Sequence, residues 1–179
     1  MWNSLSGTSI RQWSLAGLAF CALMMVVALW LQYGVGLEPC PLCIFQRVAV
    51  LSAAAVFLVA AIHNPRGWGG SVYGVLGLAA VGAGIGVAGR HVWLQSLPPD
   101  QVPSCGPGLD YMMEVLPFWD VLSRVLSGSG ECAEIEGIWL GLTLPQWTLM
   151  GFAILALVPL FMTFLGLLKR NAPRRDVKV

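Results

Sequence analysis

Two closely spaced cysteines carry the clearest chemical signal in this sequence. Cys40 and Cys43 are separated by two residues, a spacing at which two thiols can form a disulfide and open it again. Pro39 and Pro41 favour an extended approach, so we expect a helix to begin between Pro41 and Cys43. Unpaired N–H groups at the start of a helix stabilise a thiolate. The motif therefore predicts a redox-active dithiol at a helix N-terminus.

Arg47 follows Cys43 by four residues, which places both side chains on one face of that helix, about 6 Å apart between Cβ atoms. A charged residue entering an apolar segment is costly, so we predict that Arg47 stabilises negative charge on an electron acceptor. The alternative is a guanidinium that extends to the lipid headgroups.

His91 follows another apolar segment. It could donate a proton to a redox ligand, or it could be a solvated residue at a helix end.

Cys105 and Cys132 form a second, more widely separated pair. Both lie in segments rich in glycine, proline and serine, which predicts exposed and mobile loops. In an oxidising compartment these cysteines suggest two disulfides, Cys40 with Cys43 and Cys105 with Cys132. We expect a soluble dithiol to reduce the loop pair. Electrons would then pass through the Cys40 and Cys43 pair to a lipid-soluble quinone.

A zinc site built from four cysteines is an alternative to this redox chemistry. Such a site usually contains two close pairs, whereas Cys105 and Cys132 lie far apart in the sequence. We therefore expect no metal. Cys21, inside the first apolar segment, is expected to be an inert buried thiol.

The elements that position these residues are apolar segments. The 179 residues are 57% hydrophobic and 11% charged, against about 25% charged in a typical soluble domain. A helix of about 20 apolar residues crosses a bilayer. We predict an all-α membrane protein, a four-transmembrane-helix bundle that forms one integral membrane domain over residues 1–179. The predicted spans are 14–33, 44–62, 71–89 and 147–168.

Charged residues divide between the two sides of this bundle. The side with both termini holds seven of the ten basic residues, and the other side holds eight of the nine acidic ones. The positive-inside rule then puts the termini in the cytoplasm and the cysteine-bearing loops, 34–43 and 90–146, outside it. The longer loop is predicted to carry a short amphipathic helix, either in the membrane interface or on the bundle top. Its apolar face would hold Val115, Phe118, Trp119, Leu122 and Leu126.

A glycine pattern in the third span imitates a nucleotide-binding motif. Residues 84–89 match G-x-G-x-x-G, but that motif binds dinucleotides only between a strand and a soluble helix. In an apolar span, small residues four positions apart favour close helix packing. We therefore predict that Gly82 and Gly86 face a neighbouring helix. Nothing in the sequence indicates a surface for nucleic acid.

Several of these residues together resemble the disulfide-bond formation protein B (DsbB) family. The resemblance runs from about Trp13 to Leu165. It implies a quinone-dependent thiol oxidase of the bacterial inner membrane, with periplasmic cysteine loops. Such an enzyme reoxidises a periplasmic thioredoxin-fold dithiol oxidase of the DsbA type and passes the electrons to ubiquinone or menaquinone in the membrane pool. The motifs that carry the resemblance are Cys40-Pro41-Leu42-Cys43, Arg47, His91, Cys105, Cys132 and Leu144-Pro145-Gln146-Trp147.

The resemblance also implies a role for each cysteine of the two pairs. Cys105 would be the cysteine that the partner's thiolate attacks, with Cys132 as its mate. Cys40 would exchange with the loop pair. Cys43 would be the thiolate that contacts quinone.

The same resemblance implies that Arg47 holds the quinone, with His91 nearby. Gln46 departs from the family pattern, since some members carry an acid before the arginine. The resemblance therefore does not determine the local charge beside the quinone. Two alternatives remain at this point. A vitamin K epoxide reductase-like protein would be expected to carry its Cys-x-x-Cys after the loop cysteines rather than before them. A non-enzymatic tetraspan scaffold would use its disulfides only for structure.

Overall fold

The four predicted spans are helices in the structure, a computed structural model that describes residues 9–65, 68–98, 100–104, 109–135 and 137–171. In chain order the elements are α1 (Ile10–Tyr33), α2 (Pro41–His63), α3 (Trp68–Gln95), α4 (Leu109–Val115), α5 (Phe118–Ser127), α6 (Gly130–Ala133), β1 (Ile138–Trp139), β2 (Leu142–Thr143) and α7 (Leu144–Asn171). The helices α1, α2, α3 and α7 are each long and apolar enough to cross a membrane. The predicted fold class, an all-α multi-pass membrane protein built on four helices, is confirmed.

Local sequence determines where the helices around the cysteines begin and end. α1 begins at a capping box, in which Ser9 and Gln12 each accept a hydrogen bond from the other's backbone N–H. α2 begins at Pro41, inside the predicted window, and Cys40 is its N-cap residue. Proline suits this first helical position because its missing N–H would have no intrahelical partner. The C-cap residue of α2, Asn64, has a φ of 44°, in the left-handed region that often ends helices.

Glycines let α3 and α7 approach closely, and these two helices share the most extensive contact in the bundle. A methyl group on Gly74 would meet backbone and side-chain atoms of α7, and one on Gly84 would meet the ring of Phe152. Gly82 and Gly86 have open space instead, so the prediction that they face a neighbouring helix is wrong. Glycines occur on more than one face of α3, and a four-residue spacing does not by itself identify the packed one.

The outer loop folds onto the end of the bundle. α5 is the predicted amphipathic helix, and it packs on the bundle top through the buried side chains of Val121 and Val125. Phe118 and Trp119, from the predicted apolar face, remain exposed. Pro117 separates α5 from α4, so Val115 belongs to a different helix. The helix therefore contacts the bundle along one stripe and leaves a second apolar stripe exposed.

Arg90 connects α3 to the end of α5. Its guanidinium donates hydrogen bonds to the backbone carbonyls of Leu126 and Ser127, both at 3.0 Å. It also lies 4.0 Å from the centroid of the Trp93 ring. A cation is favourable at the last carbonyls of a helix. The contact holds α5, and α6 directly after it, beside α3.

A two-stranded hairpin, which the sequence analysis did not predict, leads into α7. β1 and β2 are antiparallel, with Trp139 opposite Leu142. The two turn residues, Leu140 and Gly141, have φ values of 55° and 82°, as in the tightest hairpin turns. The indole N–H of Trp147 in α7 donates a hydrogen bond of 3.0 Å to the carbonyl of Trp139. This bond fixes the hairpin against the start of α7.

Candidate active site at the outer end of the bundle

The first turn of α2 brings Cys40 and Cys43 together. Cys40 is the N-cap and Cys43 lies three residues later, and their sulfur atoms are 3.0 Å apart. The backbone N–H of Cys43 donates to the sulfur of Cys40 at 3.4 Å. Both thiols are free and half-buried. The turn thus positions a reduced pair whose sulfurs need only a small rotation to form a bond.

His91 of α3 lies against this pair. Its Nε2 atom is 3.8 Å from the sulfur of Cys40, and its Nδ1 atom is 3.9 Å from the sulfur of Cys43. The side chain is only 3% exposed, so the alternative of a solvated histidine at a helix end is wrong. The burial arises because α2 and α3 pack side by side and the outer loop covers the ends of both.

Gln46 is a site residue whose contacts the sequence analysis did not foresee. Its side chain is 4% exposed, and its amide nitrogen lies 3.3 Å from Nδ1 of His91. This contact holds the ring with Nε2 toward Cys40 and Nδ1 toward Cys43. The available signal was an uncharged polar side chain inside an apolar segment, three residues after Cys43. Gln46 therefore orients the imidazole relative to the sulfurs.

The structure places Cys132 beside Cys40. Cys132 lies in α6, is 1% exposed, and belongs to the apolar cluster against which Cys40 packs. The Cys40 side chain and burial raise the pKa of the Cys132 thiol. The prediction of an exposed Cys132 is wrong, because Leu42, Leu94 and Val121 enclose it in a small apolar cluster. Its predicted mate, Cys105, lies outside the described residues.

Arg47 extends toward α1. Its guanidinium donates hydrogen bonds to the side-chain oxygen of Gln32 and, at 3.2 Å, to the carbonyl of Ala28. The sequence analysis missed Gln32, although a lone amide near the end of an apolar span is a usable signal. These bonds fix the guanidinium against the last turns of α1.

Two cavities meet at the dithiol. A groove of about 550 Å³ lies between α1, α2, the hairpin and α7, and it is lined mostly by apolar side chains. A crevice of about 40 Å³ lies at the outer surface, beside Glu131 and Glu134. Cys43 lines both cavities, Cys40 lines only the crevice, and Arg47 lines only the groove. The dithiol can therefore contact a polar reactant on one side and an apolar one on the other.

Comparison with known proteins agrees with this arrangement. Residues 10–162 match the family model described as disulfide bond formation protein DsbB. The chain is 67% identical to disulfide bond formation protein B of Chromohalobacter salexigens over 159 residues, 88% of this chain and 92% of the relative. It is 53% identical to the protein of the same name from Nitrosococcus oceani over 153 residues, 86% of this chain and 90% of the relative. With four helices able to span a membrane, a thiol pair at one end of them and this similarity along most of its length, the chain belongs to the DsbB family of disulfide bond formation proteins.

Proposed function

We propose that this membrane disulfide oxidoreductase reoxidises a periplasmic thioredoxin-fold dithiol protein of the DsbA type and passes the electrons to quinone. One observation carries the proposal: Cys43 lines both the crevice beside Glu131 and Glu134 and the apolar groove. A protein that only stored a disulfide for stability would have no use for a sulfur atom at the junction of the two. Quinones dissolve in lipid, whereas a thioredoxin-fold partner arrives from water.

The groove suits a quinone. Its volume of about 550 Å³ and its mostly apolar lining fit a ring with an isoprenoid tail. Arg47 supplies positive charge inside it, and Cys43 supplies the sulfur. A bound quinone would take up two electrons and two protons from the dithiol. Arg47 would stabilise the negative charge that develops on the acceptor's oxygen, and Gln32 holds the guanidinium in position.

The thiol exchange steps use the chain's own sulfurs. The partner's dithiol opens a disulfide between Cys105 and Cys132, so one S–S bond forms in the partner as one breaks here. The Cys132 thiolate then attacks Cys40 in its bond to Cys43, which forms a bond between Cys132 and Cys40 and releases the Cys43 thiolate. Attack by Cys105 on Cys132 restores the loop pair and leaves Cys40 and Cys43 reduced. The packing of Cys40 against the cluster that contains Cys132 supports this order.

His91 is the base within reach of these exchanges. A thiolate attacks and a thiol does not, so each step requires a proton acceptor. The imidazole lies 3.8 Å from the sulfur of Cys40 and 3.9 Å from that of Cys43. Gln46 keeps the ring in that orientation.

The proposal includes an orientation in the bacterial inner membrane. Basic residues concentrate on the side of the termini, which we assign to the cytoplasm, and acidic residues on the side of the site, which we assign to the periplasm. Glu131 and Glu134 belong to this acidic side and line the mouth of the crevice. The reduced partner would reach the cysteines from there.

Purified full-length protein in detergent, mixed with a reduced thioredoxin-fold partner and a soluble quinone analogue, tests the proposal. We expect one quinone reduced for each partner disulfide formed, measured by quinone absorbance and thiol titration. Partner oxidation without quinone consumption would contradict the proposed acceptor. A tetraspan scaffold with structural disulfides would show neither reaction.

A further inference from the structure

We propose that the reduced dithiol is also an inhibitory binding site for Zn²⁺, with Cys40, Cys43 and His91 as its ligands. One ring nitrogen of His91 and the two sulfur atoms all lie within 4.8 Å of one another. Two thiolates and an imidazole are a ligand set that zinc favours over harder cations. The sequence analysis weighed zinc only for four cysteines. The structure offers a different set, in which a histidine from α3 completes the pair on α2.

The distances suit a tetrahedral ion. Zn–S bonds of about 2.3 Å and Zn–N bonds of about 2.0 Å place nitrogen and sulfur ligands about 3.6 Å apart, and two sulfurs about 3.8 Å apart. Nε2 of His91 lies 3.8 Å from the sulfur of Cys40, and one ring nitrogen of His91 lies within 4.8 Å of both sulfurs. The sulfurs themselves are 3.0 Å apart. A rotation of the Cys43 side chain that separates them by about 0.8 Å completes the geometry.

The surroundings support a cation at this position. Gln46 contacts Nδ1 of His91, which leaves Nε2 free for the metal. The Gln46 amide can turn its oxygen toward the Nδ1 proton, as partners of metal-bound histidines usually do. The crevice of about 40 Å³ has room for a water molecule as the fourth ligand. The carboxylates of Glu131 and Glu134 line its opening and attract a cation.

Binding depends on the redox state of the pair. Zn²⁺ replaces the protons of the two thiols, so two protons are released when the two Zn–S bonds form. A disulfide between Cys40 and Cys43 offers no thiolate and leaves no site. The inhibitory consequence rests on the proposed function: a dithiol held by zinc cannot be oxidised by quinone until the ion leaves. Excess zinc would therefore hold the protein in its reduced form.

The binding experiment uses full-length protein in detergent, reduced with a phosphine, freed of reductant without oxygen, and titrated with Co²⁺ as a spectroscopic probe. We expect one equivalent bound, with thiolate-to-cobalt charge-transfer absorption that Zn²⁺ abolishes by displacement. Protein oxidised beforehand should show no such absorption. Neither quinone nor partner is present, so this result stands or falls independently of the proposed function.

Variants identify the ligands. His91→Gln should weaken cobalt binding at least about tenfold, whereas His63→Gln, at the far end of α2, should bind as the wild type does. Cys43→Ser should lose the charge-transfer absorption, and Cys21→Ser, in the bundle core, should keep it. Melting temperatures measured alongside show whether each variant is folded. Equal affinity in His91→Gln and the wild type, or one equivalent bound by oxidised protein, would overturn the assignment.

A kinetic measurement tests the inhibition. Protein reduced beforehand is mixed once with quinone, with and without one equivalent of Zn²⁺. We expect zinc to slow reoxidation at least about tenfold and a chelator to restore the rate. An unchanged rate with zinc shown to be bound would refute the inhibitory role.

Discussion

The groove of about 550 Å³ is lined mostly by apolar side chains from three membrane-spanning helices and the hairpin, whereas the crevice of about 40 Å³ has Gln95, Glu131 and Glu134 at its walls. Arg47 borders the groove from α2, and Arg90 on the other side joins α3 to the end of α5. The two cavities share Cys43 and Leu144. The difference suggests that acceptor and donor are recognised by separate surfaces with a sulfur atom between them.

Removing the sulfur of Cys43, which both cavities share, should abolish electron transfer from the partner to quinone. We expect Cys43→Ser to lower quinone reduction by the partner at least about a thousandfold, because the electrons have no dithiol from which to leave. Its melting temperature should change little, since the hydroxyl replaces a half-buried thiol of similar size. The control is Cys21→Ser, whose sulfur lies in the bundle core away from both cavities. Turnover by Cys43→Ser within tenfold of the wild type would show that another group links donor and acceptor.

Arg47→Gln tests the groove alone. A charged hydrogen bond contributes about 1.5–3 kcal/mol, so its loss should raise the KM for quinone about 10- to 100-fold. Thiol exchange with the partner, measured in one turnover without quinone, should stay within about twofold. An equal loss in both assays would contradict the separation of the two surfaces. Arg124→Gln, at an exposed position on α5, is the matched control.

Arg90→Gln tests the side of the site at which thiols are exchanged with the partner. The substitution weakens the two hydrogen bonds to Leu126 and Ser127, each worth about 1 kcal/mol. The segment with Cys132 should then lie less often against Cys40, and exchange with the partner should slow about three- to tenfold. The KM for quinone should not change. If Arg47→Gln changes only the KM for quinone and Arg90→Gln changes only the rate of exchange with the partner, the two surfaces act separately. The pair of results establishes this more firmly than either result alone.

The two cavities also differ in how far the sequence reveals them. Hydropathy and length predict the four spans, because a helix in lipid needs little more than about 20 apolar residues. The start of α2 at Pro41 follows from local proline geometry. The site as a whole depends on contacts across long stretches of chain, such as His91 against Cys40 and Gln46. The spacing of the motifs identified the candidate residues, but it could not predict contacts between residues far apart in the sequence.

The outer loop was the least predictable part of the chain, for a physical reason. Its glycines and serines indicate flexibility when the segment is considered alone. The burial of Cys132 comes from side chains in other elements, Leu42 in α2 and Leu94 in α3. The hairpin is another example: Leu140 and Gly141 are not a usual hairpin pair, and their positive φ values became evident only in the structure.

Leu140 allows the smallest and most selective test of the groove. Its side chain is 92% exposed, yet it borders the groove, and its φ of 55° is unfavourable for leucine. Asparagine tolerates this conformation, so Leu140→Asn should stabilise the turn by about 0.5 kcal/mol and raise the melting temperature by about 1–2 °C. The same change removes an apolar contact, so the KM for quinone should rise about two- to threefold. Leu140→Ala removes the contact without favouring the turn, and we expect it to raise the KM equally with no gain in melting temperature. If neither variant changes the KM, the hairpin covers the groove without taking part in binding.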